Sequence, residues 1–217
     1  MKYQIIQPFE NRELWLEWRH RGIGASDAPI IMGKSRFKTP LKLLREKSGP
    51  PIPESEDNKY IKERGNRIET IVRELAETRF GFKLPACNAM STRFPFIRAS
   101  LDGFCAEKEC LVEIKLLSSQ SKEKFNPSTE GYQKFLALQK NNTVPEDYYP
   151  QIQHQLYVLG LEWCFLIGCA ELRGQAITQD DLVYGVVERD NDYIKKLVAK
   201  ECDFWYSLDC RYENELE

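Results

Sequence analysis

Apolar residues along the chain fall first into a helical period and then into an extended one. In "ENRELWLEWR" (10–19), Leu14 and Trp18 stand one turn apart. "TPLKLLREKSG" opens on a threonine cap with proline in its first turn and stops at glycine; both stretches predict helices. "KYIKERGNRIETIVRELAETRFG" sets Ile61, Ile68, Val72 and Leu75 on one stripe with Ile71 beside it, an amphipathic helix that ends at Gly81. The period then shortens. "STRFPFIRAS", "LDGFCAE" and "ECLVEIKLL" are alternating or apolar runs parted by turn residues, as in consecutive strands of a sheet. "YPQIQHQLYVLG" (149–160) predicts a further helix with Pro150 in its first turn. At ~100° per residue, Ile152, Leu156 and Leu159 form its apolar stripe. Two apolar strands, "WCFLIGCA" (163–170) and "LVYGVVER" (182–189), precede a closing helix from Asp190 to about Leu208.

This order predicts the α/β (or α+β) class, with a mixed central β-sheet flanked by helices. No repeat or long interior linker divides the chain, so residues 1–217 are read as one domain. Two stretches oppose regular structure: "SGPPIPESEDN" (48–58), and "KFNPSTEGYQKFLALQKNNTVPED" (124–147), which lies between stronger elements and is read as a lid.

Composition narrows the function. With 42% hydrophobic and 29% charged residues, 217 residues can bury a substantial core without help. No apolar run approaches the roughly 18 residues of a membrane span, and "MKYQIIQPFENRE" lacks a signal-peptide layout, so the expectation is a cytoplasmic protein without a membrane partner. Seven cysteines without a C-x-x-C pair argue against a zinc ribbon or a full disulfide framework. Two histidines leave little room for His-based chemistry, and no Walker loop is present. Net charge is -2, so any nucleic-acid surface must be local, and a carboxylate cluster elsewhere would hide a basic groove from the total.

Such a cluster lies in "IRASLDGFCAEKECLVEIKLL" (97–117), where Asp102, Glu113 and Lys115 are set among apolar neighbours. On a strand, Glu113 and Lys115 share a face while Ile114 points away. If 97–102 pairs with 110–116, Asp102 arrives beside them. Two converging carboxylates repel unless a cation lies between them, and oxygen ligands suit Mg²⁺, with Mn²⁺ as a substitute. Such a site can hydrolyse phosphodiesters, with Lys115 orienting or helping to deprotonate a water and the Ile114 carbonyl completing the metal shell. The ordinary alternative for Glu-x-Lys is a solvated ion pair. In "HRGIGASDAP", Ser26 and Asp27 read as the cap of a short helix whose free N–H groups suit a phosphate, with Arg21 as a further charge contact; a plain cap beside a surface arginine is the alternative.

"SLDGF…LVEIKLL" resembles the core of the PD-(D/E)XK nuclease superfamily. Together with "RGIGASDAPIIMG", "ERGNRIE" and "YYPQIQHQLYVLG", it resembles the YqaJ-like viral recombinases, the group of the phage lambda exonuclease, over roughly residues 15–190. The resemblance implies a restriction-endonuclease-like core and a metal-dependent exonuclease. Such an enzyme digests linear double-stranded DNA 5′ to 3′ and leaves 3′ overhangs for a phage-type single-strand annealing protein. It further implies a homotrimeric ring, encoded by a phage or prophage and acting in the bacterial host cytoplasm. Carried over, Asp102, Glu113 and the Ile114 carbonyl match metal ligands, Lys115 the catalytic lysine, and Glu69 an acidic residue approaching the metal. Gln153 matches a glutamine that supports the lysine or the water, with Gln151 as the alternative if the Gln-x-Gln pair slips. Arg21 and Ser26 match contacts to the terminal 5′ phosphate, and Arg36 a DNA contact ahead of the site. An endonuclease of the same superfamily and a catalytically silent DNA-end or protein-binding module are the competing readings.

Overall fold

The computed structural model describes residues 2–50, 56–116, 130–169 and 176–214. In chain order the elements are β1 (Tyr3–Ile6), α1 (Arg12–His20), β2 (Ile23–Gly24), α2 (Ala28–Ile31), α3 (Pro40–Ser48), α4 (Glu56–Phe80), β3 (Cys87–Ser91), β4 (Ile97–Leu101), β5 (Gly103–Cys105), β6 (Cys110–Leu116), α5 (Glu130–Asn141), α6 (Tyr149–Leu159), β7 (Trp163–Cys169), β8 (Leu182–Glu188) and α7 (Asn191–Asn214). Helices combined with mixed sheets are the α/β class that the alternating periods predict. The strands divide into two four-stranded sheets, ordered β1-β3-β4-β2 and β5-β6-β7-β8.

The division happens at Asp102. β4 ends one residue before it and β5 begins one residue after it, so consecutive strands enter different sheets. A side chain at Gly103 would meet the Leu84 Cβ at 3.2 Å and its carbonyl at 3.3 Å, which fits the close passage of the chain at this turn. The pairing of 97–102 with 110–116 expected from sequence is therefore not made. β4 pairs with β3 and β2, while β5 pairs with β6 through Gly103↔Val112 and Cys105↔Cys110.

The long helix α4 lays Ile68, Val72 and Ala76, all nearly inaccessible, against the apolar residues of β6 and β7. Helix α6 departs more from its sequence pattern. It packs on α2, α7, β3, β4 and β7, so Pro150, Ile152 through Leu156, Val158 and Leu159 are all buried. The three-residue stripe widens to nearly the whole circumference, and polar residues go inside with it. His154 is fully buried between the Arg98 carbonyl, 2.8 Å from Nε2, and Glu201 on α7, 2.7 Å from Nδ1. Because a carbonyl only accepts, Nε2 is the donor there, and a single proton is shared between Nδ1 and Glu201. Burial works against the imidazolium, but Glu201 and the Arg98 carbonyl overcome it and raise the His154 pKa.

Part of the stretch read as a lid is helix α5, and residues 124–129 and 51–55 lie outside the described residues. Leu138 of α5 sits so close to β8 that a Cβ at Gly185 would lie 2.1 Å from its Cγ. Gly185→Ala should therefore destabilise by about 1–3 kcal/mol through overpacking, and Leu138→Ala by about 2–5 kcal/mol through a cavity. In urea unfolding the double variant should lose clearly less than the sum of the singles; strict additivity would mean that α5 does not seat on Gly185.

Candidate active site

Strand alternation brings Glu113 and Lys115 to one face of β6, and α6 closes over them. Glu113 is 2% exposed, and its carboxylate is met from three sides. Lys115 Nζ lies 2.5 Å from Oε1, Gln151 Nε2 donates to the same oxygen at 2.5 Å, and Gln155 Nε2 donates to Oε2 at 2.6 Å. Lys115 also donates to Gln151 Oε1 at 3.1 Å and sits 5.3 Å from the centre of the Tyr148 ring. Asp102 joins from the sheet junction: its Oδ2 accepts from the Ile114 backbone N–H at 2.8 Å. Arg73 of α4 donates to the Asp102 carbonyl at 2.9 Å and to Glu69 at 3.3 Å. Asp102, Glu113, Ile114, Lys115, Glu69 and Gln151 line one cavity of about 720 Å³.

The charges there do not balance locally. Burial, and then the neighbouring Glu113 and Glu69, hold the Asp102 carboxyl well above the usual carboxylate range. Glu69 is raised by burial, with Glu113 adding to it against Arg73. Burial disfavours the Lys115 ammonium, yet Glu113 and Asp102 keep its pKa above the ordinary lysine value. Crowded carboxylates of this kind are relieved by a hard cation, and their oxygens are the donor type that Mg²⁺ or Mn²⁺ takes. Among the described residues, no three His, Cys, Asp or Glu side chains form a ready-made cage. The carboxylates that line the cavity are those of Asp102, Glu113 and Glu69.

Two sequence assignments change. Gln153 is not at the site: its Nε2 donates to the Glu188 carbonyl at 2.7 Å and its Oε1 accepts from the Asp190 N–H at 2.9 Å, which bolts α6 to the β8–α7 junction. Two residues along a helix turn about 200°, so Gln153 faces away from Glu113 while Gln151 and Gln155, one turn apart, both reach it. Arg21 is also displaced. Its side chain is 72% exposed and pairs with Glu17 at 2.5 Å, whereas Arg19 lines the cavity and donates to Ser26 Oγ at 2.8 Å.

Ser26 itself lines the cavity, but within the short 3₁₀ turn Ala25–Asp27 rather than as a helix cap, and α2 beyond it has only four residues. Asp27 fixes that turn, accepting from Gly24 N–H at 3.0 Å and pairing with Lys47 at 2.9 Å; burial raises its pKa, but Lys47 outweighs this and lowers it. The Arg19 guanidinium lies 4.7 Å from the centre of the Trp15 ring, so Trp15 is part of the cavity wall, while Leu14 is exposed. Arg36 stands outside this cavity, in ion pairs with Glu130 at 3.4 Å and Asp147 at 3.9 Å.

The chain is similar to known proteins over most of its length. Residues 14–162 match the model of the YqaJ-like viral recombinase domain. The uncharacterized protein YqaJ of Bacillus subtilis (strain 168) is 29% identical over 197 residues, which cover 90% of this chain and 56% of that protein. The chain thus spans about half the length of that relative. Among solved structures, the alkaline exonuclease LHK-Exo of Laribacter hongkongensis, crystallised with dAMP, superposes with a TM-score of 0.70 at 18% identity, covering 93% of this chain and 95% of that one. A phage related exonuclease from Haemophilus somnus 129PT gives 0.61 at 16% identity, over 94% and 100% of the two chains. At these identities the likeness is one of fold.

The two glutamines should separate on mutation. Gln153→Ala removes a fully buried side chain with both of its bonds, to the Glu188 carbonyl and the Asp190 N–H, and should cost about 1–3 kcal/mol in urea unfolding. Gln151→Ala, on the cavity wall where water can replace it, should cost less; the reverse order would return Gln153 to the site.

Proposed function

Since the chain belongs to the YqaJ-like viral recombinase family, we propose that it is a metal-dependent exonuclease that degrades linear double-stranded DNA 5′ to 3′ and leaves 3′ single-stranded overhangs. The observation that carries this reading is the Lys115 ammonium, clamped between Glu113 and Gln151 at a cavity edge with Asp102 beside it. Asp102, Glu113 and the Ile114 carbonyl would hold Mg²⁺, or Mn²⁺ in its place, with Glu69 as a further carboxylate at the edge. When bound there, such an ion would supply polarisation of the scissile phosphate and a more acidic water.

The chain's own groups do the rest. Lys115, kept protonated by Glu113 and Asp102, offers the reacting phosphate and its water a positive charge and a proton donor. Gln151 fixes the direction of that ammonium through its Oε1. Within the same cavity, Arg19 and Ser26 take the role that the resemblance gave to Arg21 and Ser26, holding a terminal 5′ phosphate. Burial lowers the Arg19 pKa, so an arriving anion stabilises a cation that is only partly solvated. Arg36 remains a contact for DNA beyond the cavity.

The same reading takes the chain as one nuclease domain and includes a homotrimeric ring around the duplex. Its partner would be a single-strand annealing protein of a phage recombination pair, and its setting the cytoplasm of a bacterial host. Among the described residues, no helix is long and apolar enough to cross a membrane.

The test is digestion of linear duplexes labelled at either end, with 5′ phosphate or 5′ hydroxyl, beside a closed circle, in Mg²⁺ or EDTA. Mg²⁺-dependent release from 5′-phosphorylated ends with the circle intact is the expected result. Cutting of the circle would make the protein an endonuclease, and duplex binding without metal-dependent cleavage would make it a binding module. Lys115→Ala should lower turnover by about 10²–10³ with duplex binding retained; unchanged turnover would refute its role. Arg19→Ala should erase the preference for a 5′ phosphate while Arg21→Ala keeps it, and the opposite pattern would overturn the reassignment.

A further inference from the structure

Gln155 is a buried polar residue for which the reaction outlined above has no use. It lies on α6 one turn beyond Gln151, fully inaccessible and away from the cavity wall. The two oxygens of Glu113 are consequently unlike. Oε1 receives Lys115 and Gln151, both of which line the cavity, whereas Oε2 receives the Gln155 amide at 2.6 Å. The orientation of that amide follows from chemistry alone, since turning it would set its carbonyl against a carboxylate. Its own Oε1 is buried with no partner among the described residues. An unpaired buried acceptor is a cost that Leu or Met at this position would not carry, so the benefit of a glutamine lies at Glu113.

We propose that Gln155 is a positioning residue that pins Oε2 of Glu113 and thereby presents Oε1 alone to a metal ion, which makes Glu113 a one-oxygen ligand. The inference rests on reading Glu113 as a metal ligand. Mg²⁺ and Mn²⁺ sites of near-octahedral geometry suit such a ligand, whereas Ca²⁺ readily accepts both oxygens of one carboxylate. Gln155 therefore contributes selectivity as well as affinity. Being sealed behind the carboxylate, it keeps its hydrogen bond while Lys115 and Gln151, on the open side, yield Oε1 and keep their bond to each other.

Gln155→Met keeps the side-chain length and removes the donor. In calorimetric titrations without DNA, its Mn²⁺ dissociation constant should rise by about 10–100-fold. Its Ca²⁺ affinity should change less, and excess Mn²⁺ should restore turnover in a variant with native circular dichroism. Mn²⁺ affinity unchanged from the native protein, with Asp102→Ala abolishing binding, would overturn the role of Gln155 alone. Native protein and Asp102→Ala binding Mn²⁺ equally poorly would bring down the metal reading of Glu113, and this inference with it. Should Gln155→Met fail to fold, the side-chain amide protons of native ¹⁵N-labelled protein decide the matter. Those of Gln155 should stay protected from exchange when Mg²⁺ is added while those of Gln151 become labile, and loss of protection at Gln155 would refute the proposal.

Discussion

A carboxylate with almost no access to water is the constraint around which this structure is arranged. Taking the Glu113 charge out of solvent costs several kcal/mol unless donors replace the lost hydration. Lys115, Gln151 and Gln155 supply them, and two of the three come from one helix. That helix must hold its rotation and height against β6 to within hydrogen-bond tolerance. Gln153 bolts it to the end of β8, and His154 ties it through Glu201 to α7 and through the Arg98 carbonyl to β4. Polar residues at 151, 153, 154 and 155 thus divide the work: Gln151 and Gln155 meet the carboxylate, while Gln153 and His154 each tie the helix to other elements.

Asp102 plays the corresponding part on the strand side. Because it sits where the chain leaves one sheet for the other, its backbone is free of ladder pairing. Its carbonyl accepts from Arg73 of α4, and its side chain accepts from the Ile114 N–H of β6. A single residue links both sheets and the long helix at the edge of the cavity. Glu69 reaches the same place because it lies four residues before Arg73 on α4, on the side facing the junction.

Features set by local periodicity were legible in the sequence. Glu113 and Lys115 share a face because strand side chains alternate, α3 begins and ends at its Thr39, Pro40 and Gly49 signals, and α4 stops before Gly81. What sequence could not resolve was decided by packing. The stripe of Ile152, Leu156 and Leu159 could not orient a helix buried on nearly every side, so Gln153 was preferred to Gln151 until the partners of each were visible. Near the end of α1, Arg19 and Arg21 differ only in which turns inward, and the Ser26 turn held by Asp27 and Lys47 decides it. Gln155 flanks the apolar stripe in the sequence, but its bond to Glu113, 42 residues away in the chain, is set by packing alone. β1, β2 and β3 were missed because strands of four, two and five residues carry too little alternation to register.

The ion pairs of Arg36 bear on how tightly salt would control an encounter with DNA. Arg36 is already matched by Glu130 and Asp147, as Lys34 is by Glu146 and Lys134 by Asp147. A phosphate arriving at such a side chain sheds its condensed cations but frees a carboxylate, which takes up cations in turn, so the net release is smaller. The slope of log affinity against log salt concentration then falls below the number of basic residues along the path, because part of the ionic atmosphere is built into the fold as carboxylates.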